Sequence, residues 1–203
     1  MSYINETTDL NNASEAEQIA AVKDNVYAIL DIDNPSEAVQ IAAVEFEGDA
    51  IRYIKNPSEA TQLAAVTAMQ LNHETYAIRY ITNPSLSVQL AAVSSYPDAI
   101  QYIDNPSLAV QMAAVQENGK AIYHIPDPSE PVQLAAVRNH QFAIKFITKP
   151  TRRVAMTGLL HMIHYKYFDS IAATAATELK RLHQLYPDLE ELNTIAAEIG
   201  VKL

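Results

Sequence analysis

Proline recurs at positions 35, 57, 84, 106, 128 and 150, at spacings of 22, 27, 22, 22 and 22 residues. Twenty-two residues before Pro35 stands Ala13, within Asn12-Ala13-Ser14-Glu15, the same motif without its proline. Around each proline the chain reads Asn-Pro-Ser-x-x-Val-Gln-Leu-Ala-Ala-Val, then a variable stretch, then Ala-Ile-x-Tyr-Ile. Asn34 to Val44 with Ala50 to Ile54 is one clear copy, and Asn105 to Val115 with Ala121 to Ile125 is another. Six copies are complete. A fixed period of this length is the mark of a repeat array, in which one unit cannot hide its apolar face but stacked neighbours can.

The first half of the unit predicts a helix. Asn or Asp, then proline, then serine is helix-start chemistry, because side-chain oxygens cap free N–H groups and proline fits where no N–H is needed. Two registers fit. Asn34 with Glu37 makes a capping box, whereas Pro131 places the serine at the cap, since proline is tolerated in the first turn. At about 100° per residue, Val39, Ala42, Ala43 and Phe46 share one side, Ile41 and Val44 lie on another, and Ala38 and Glu45 look outward. A helix apolar nearly all round is a buried one. In the second half, Ala50, Ile51 and Ile54 have the spacing of a short helix. A strand is the rival, because Ile and Tyr favour strands, but the apolar positions do not alternate.

The unit resembles the short-helix end of the HEAT-like and leucine-rich-repeat-variant solenoids. It is also similar to uncharacterised tandem-repeat proteins of bacteria and their phages, over about residues 12 to 160. Together the repeat and the resemblance predict an all-α fold: a right-handed α-solenoid of six to seven 22-residue helix pairs with a C-terminal helical cap. Residues 1–150 form the array, and 151–203 form the last repeat helix plus the cap, within one domain. Glu17 replaces the valine of later copies, as suits a face with no upstream neighbour. In the tail, Asp169 or Ser170 opens a helix ended by Pro187. Asp188 with Glu191 then caps a last helix with the stripe Leu189, Leu192, Ile195 and Ile199, stopped by Gly200.

Charge is uneven. Residues 1–130 hold 18 acidic and five basic side chains. From Pro131 to Phe168 there is no acid, while Arg138, Lys145, Lys149, Arg152, Arg153 and Lys166 supply six positive charges. These six are the candidate partner-binding residues, facing an acidic protein or phosphates. A solvated face balancing the acidic repeats is the plainer alternative. The acidic stretch itself invites nucleic-acid mimicry, although helix starts favour negative charge anyway.

Other candidates weigh against function. The phase of Gln18, Gln40, Gln62, Gln89, Gln111 and Gln133 favours an internal ladder bonded to neighbouring units over a grip on a peptide. Tyr53, Tyr80 and Tyr102, with His124 and Phe146 in register, form either a stacking platform or simple core packing. His161, His164 and His183 with Glu178 lack the usual zinc spacing, so no metal or other cofactor is expected. The five-residue insertion around Thr67 to Tyr76 marks either a binding loop or a neutral one. The chain has no cysteine, no phosphate-binding glycine loop and no nucleophile elbow, so catalysis is not expected.

A protein-binding solenoid is therefore the leading expectation, with nucleic-acid binding or mimicry as the alternative. An inhibitor that occupies a surface of a host defence complex is what the resemblance to phage and bacterial repeat proteins implies. No secretory signal and no apolar run of the ~18 residues a membrane helix needs are present, so a cytoplasmic protein is expected.

Overall fold

A computed structural model describes residues 9–68, 76–164 and 169–203. Among these residues every regular element is helical, and no strand occurs. The chain clusters into two compact units, Met1–Asn105 and Pro106–Leu203.

In the first unit, α-helices alternate with 3-10 helices: α1 (Glu15–Asp24), η1 (Val26–Asp31), α2 (Glu37–Phe46), η2 (Gly48–Tyr53), α3 (Glu59–Thr67), η3 (Ala77–Tyr80), α4 (Leu86–Ser95) and η4 (Pro97–Tyr102). Each α-helix packs on the next and each 3-10 helix packs on the next, giving two layers. The second unit holds α5 (Leu108–Glu117), η5 (Gly119–His124), α6 (Glu130–Asn139), η6 (Ala143–Phe146), α7 (Arg152–His164), α8 (Asp169–Leu185) and α9 (Glu190–Glu198). Within this unit α5, α6 and α7 form one layer and η5 and η6 another. Helices α8 and α9 then close the end.

The second half of the repeat is a short helix, but of the tighter 3-10 kind. Three residues per turn bring Ile51 and Ile54 to the same side within the twelve-residue link between α2 and α3. Ala50, Ile51 and Ile54 are all buried, as are Ala121, Ile122 and Ile125. Val39, Val88, Val110, Val132 and Val154, one per unit, have no exposed surface. Each such side chain contributes about 1.5–3 kcal/mol by leaving water. Phe46 departs from the expected stripe: at the last turn of α2 it is 47% exposed.

Serine, not asparagine, is the helix cap. The Ser36 hydroxyl accepts from the Val39 N–H, and Ser58, Ser85 and Ser107 repeat the bond. A full capping box forms only in α1, between Ser14 and Glu17. The residue before proline instead turns the chain. Asn56, Asn83, Asn105 and Asp127 sit at φ between 46° and 51°, a left-handed conformation that Asn and Asp tolerate best after glycine. Glu37 is thereby freed to bond the next unit, accepting from Ser58 Oγ. Glu15 takes Ser36 Oγ at 2.5 Å and Glu59 takes Ser85 Oγ at 2.6 Å in the same way.

The glutamines also have a local job. Gln40 Nε2 donates to the Pro35 carbonyl at 2.9 Å, and Gln62, Gln89, Gln111 and Gln133 do the same to Pro57, Pro84, Pro106 and Pro128. The amide therefore ties the turn to its own helix and does not bridge units as the ladder reading expected. A side chain one turn into the helix reaches back to the proline oxygen more easily than across to a neighbour.

The C-terminal cap buries Leu159, Leu179, Leu182, Leu192 and Ile195 in one cluster. Helix α9 starts at the Leu189 cap without a side-chain bond. Asp188, expected to cap it, reaches Arg152 at 2.5 Å instead. Gly200 ends the segment at φ 70°, as its position predicts.

Candidate functional site

The acid-free window divides among separate places. Arg138 on α6 and Arg153 on α7 line one open groove of about 830 Å³ with Met112, Pro131, Leu134 and Ala135. Its floor is apolar, and Gln116 and Asn139 add polar edges. Arg153 approaches Glu130, the groove's carboxylate, at 4.0 Å, with both side chains exposed. Lys149 lines a different recess of about 740 Å³, with Tyr123, Pro128, Gln133 and Phe146. Lys145 on η6 has its ammonium 5.9 Å from the Phe142 ring. Arg152 is engaged by the cap, at Asp188 and 5.8 Å from the Tyr186 ring centre. Lys166 lies outside the described residues, as does most of the insertion, residues 69–75.

The expected aromatic file is not a continuous stack of rings: arginines lie between its tyrosines, and Tyr123 takes the place of His124 beside Phe146. In the first unit Tyr53, Tyr80 and Tyr102 are half-buried. Arg52 lies over Tyr53 at 4.6 Å and Tyr80 at 5.8 Å, and Arg79 over Tyr102 at 5.6 Å. In the second unit Tyr123 is 67% exposed and packs edge-on against Phe146 at 5.4 Å. The arginines were overlooked because the x of Ala-Ile-x-Tyr-Ile varies. The signal was available, since Arg52 and Arg79 occupy that one slot in two successive copies.

His161 Nδ1 lies 2.9 Å from the Val137 carbonyl, and His164 is exposed. Among the described residues no three His, Asp or Glu side chains converge as metal ligands would. No helix among them is long and apolar enough to cross a membrane.

His140 is the titratable group with structural leverage. It ends α6, and its Nδ1 accepts the Phe142 N–H at 3.1 Å, the role Asn118 plays for Lys120 one repeat earlier. Burial lowers its pKa, and the Lys120 and His161 charges lower it further. An unfolded imidazole takes up its proton near pH 6.5, before the folded one does, so the unfolded state binds more protons in between. The stability that His140 supplies is thus complete above about pH 6.5 and is lost as the pH falls through its lowered folded value. Urea midpoints should drop between pH 7 and 5, and less so in His140→Asn, which keeps an acceptor that does not titrate. Equal drops in both proteins would exclude His140 as the cause.

No protein-family model matches the sequence, and neither the curated proteins nor the solved structures contain a match to it.

Proposed function

We propose that the chain is a non-enzymatic protein-binding repeat whose α5–α6–α7 groove receives an acidic, apolar-anchored segment of a partner protein. The observation that carries this reading is the pairing of an apolar floor, exposed Pro131 with half-buried Met112 and Ala135 over buried Leu134, with Arg138 and Arg153 at its rim. A desolvated apolar centre supplies affinity, and rim charges steer encounter and orientation. With no acid from Pro131 to Phe168, Glu130 is the carboxylate of the lining against the two arginines, which leaves the rim net positive. The finer features belong to the same proposal: six to seven units wound as a right-handed α-solenoid, acting in the cytoplasm. The resemblance of the repeat to bacterial and phage proteins supports a host defence complex as the partner.

The test compares affinity capture on the native protein and on the double variant Met112→Asp, Arg138→Glu. The variant should keep its helical circular dichroism and lose the captured partner. Retention of the same partner by the variant contradicts the groove. Capture of nucleic acid alone, released by moderate salt, would favour the nucleic-acid alternative.

A further inference from the structure

The last repeat shows what the exit of a 3-10 helix can hold. Arg181, from the cap, places Nη2 on the Ile144 carbonyl and Nη1 on the Ile147 carbonyl, each at 3.2 Å. Ile144 and Ile147 are the two isoleucines of Ala-Ile-x-Tyr-Ile in that copy. The guanidinium fork, with donors on a rigid plane, matches two carbonyls one 3-10 turn apart. Every complete copy presents the same pair.

In two copies that pair borders an open recess. In the first unit Ile51, Ile54, Pro57, Gln62, Tyr80 and Thr82 line a space of about 400 Å³. In the second unit their equivalents Ile122, Ile125, Pro128, Gln133, Phe146 and Thr148 line the larger one. The Ile51 and Ile122 oxygens each accept one bond, from the Ile54 and Ile125 N–H at 3.1 Å, as Ile144 does from Ile147 at 3.2 Å. No described residue donates to the oxygens of Ile54 or Ile125.

The two linings differ in charge. Asp127 and Lys149 both line the second, so its carboxylate already has a cation beside it, while Asn56 takes the place of Asp127 in the first and Asn83 stands after Thr82 where Lys149 follows Thr148. Arg52, over the Tyr80 ring that lines the first recess, is bonded to the Tyr53 hydroxyl at 2.5 Å, and neither it nor Lys55 is part of the lining. Residues 1–105 carry 15 acidic and four basic side chains, so the long-range field steers cations toward this unit, with Arg52, Lys55 and Arg79 as the local positive charges that an incoming arginine passes.

We propose that the recess between η2 and η3 is an arginine-receiving site. It binds the guanidinium of a basic partner segment on the Ile51 and Ile54 carbonyls, as the chain's own Arg181 binds Ile144 and Ile147. The site goes beyond the groove reading and stands or falls separately from it, because the two use different residues in different units.

The experiment titrates the full-length protein with a short arginine-containing peptide and with its citrulline counterpart, which keeps the shape and loses the charge. Backbone amide spectra report the binding. With the arginine peptide, shifts should cluster at residues 51–56 and 80–82, and citrulline should weaken binding about tenfold or more, the scale of charged hydrogen bonds. Thr82→Arg, at an exposed position, should abolish the response, and Arg138→Glu should leave it unchanged. Lys149→Thr should add matching shifts at residues 122–127 and 146–148. Equal binding of the two peptides, shifts spread over the acidic surface, or an unaltered response in Thr82→Arg would each overturn the proposal.

Discussion

Arg181→Ala should cost about 3 kcal/mol of stability, read as a lower urea midpoint by far-ultraviolet circular dichroism. The guanidinium holds four partners at once: Glu178 through Nε at 2.8 Å and the carbonyls of Ile144, Ile147 and, at 3.5 Å, Thr148. Glu178 is 5% exposed, so losing its partner leaves a buried carboxylate uncompensated, which costs more than the pair itself contributes. The carbonyls also lose charge-assisted donors at the open end of η6. The Arg181 side chain is about a third exposed, which places the expected effect at the low end of the range for buried pairs. Glu178→Leu with Arg181→Met should recover much of the loss, because no charge then remains unpaired. A single variant within 1 kcal/mol of native would show that Arg181 does not clamp the cap.

Gly119→Val should be comparably damaging, at about 3 kcal/mol. A Cβ at position 119 would lie 2.3 Å from the Ala136 carbonyl oxygen and 2.8 Å from His140 Cβ. The first is backbone, so the neighbouring repeat must move as a body. The Gly119 N–H is moreover held by Asn139 Oδ1 at 2.6 Å, and Asn139 Nδ2 donates to the Gln116 carbonyl at 2.7 Å. One asparagine thus clips the turn between α5 and η5 onto α6. Separating the two repeats breaks both bonds as well as relieving the clash. Thermal unfolding should show the loss directly. A variant of native stability would mean that the two repeats are not pressed together at this turn.

The period, the helix starts and the buried valine column were legible because each rests on local chemistry repeated many times. The asparagine was less so. A polar side chain before proline serves equally as a cap or as a left-handed turn, and only the placement of the serine decides between them. Likewise, Ala-Ile-x-Tyr-Ile is apolar at both third- and fourth-residue spacings, so the sequence alone does not separate a 3-10 helix from an α turn. The basic window misled most. Counting charges along the chain ignores that Lys145 and Lys149 lie on the 3-10 side while Arg138 and Arg153 line the α groove. It also ignores that Glu130, just before the window, and Asp188, 20 residues beyond it, reach into it. The arginine-bearing carbonyl pair was invisible because main-chain acceptors leave no mark in composition.

Duplicating one repeat tests the central claim most directly. A second copy of residues 106–127, inserted after Asp127, should give a folded protein with one more α-helix and one more 3-10 helix. Its ellipticity should rise in step, with cooperative unfolding at no lower a temperature, because each unit buries itself only against its neighbours. Loss of cooperative unfolding, or a chain that gains 22 residues and no helix, would contradict the account.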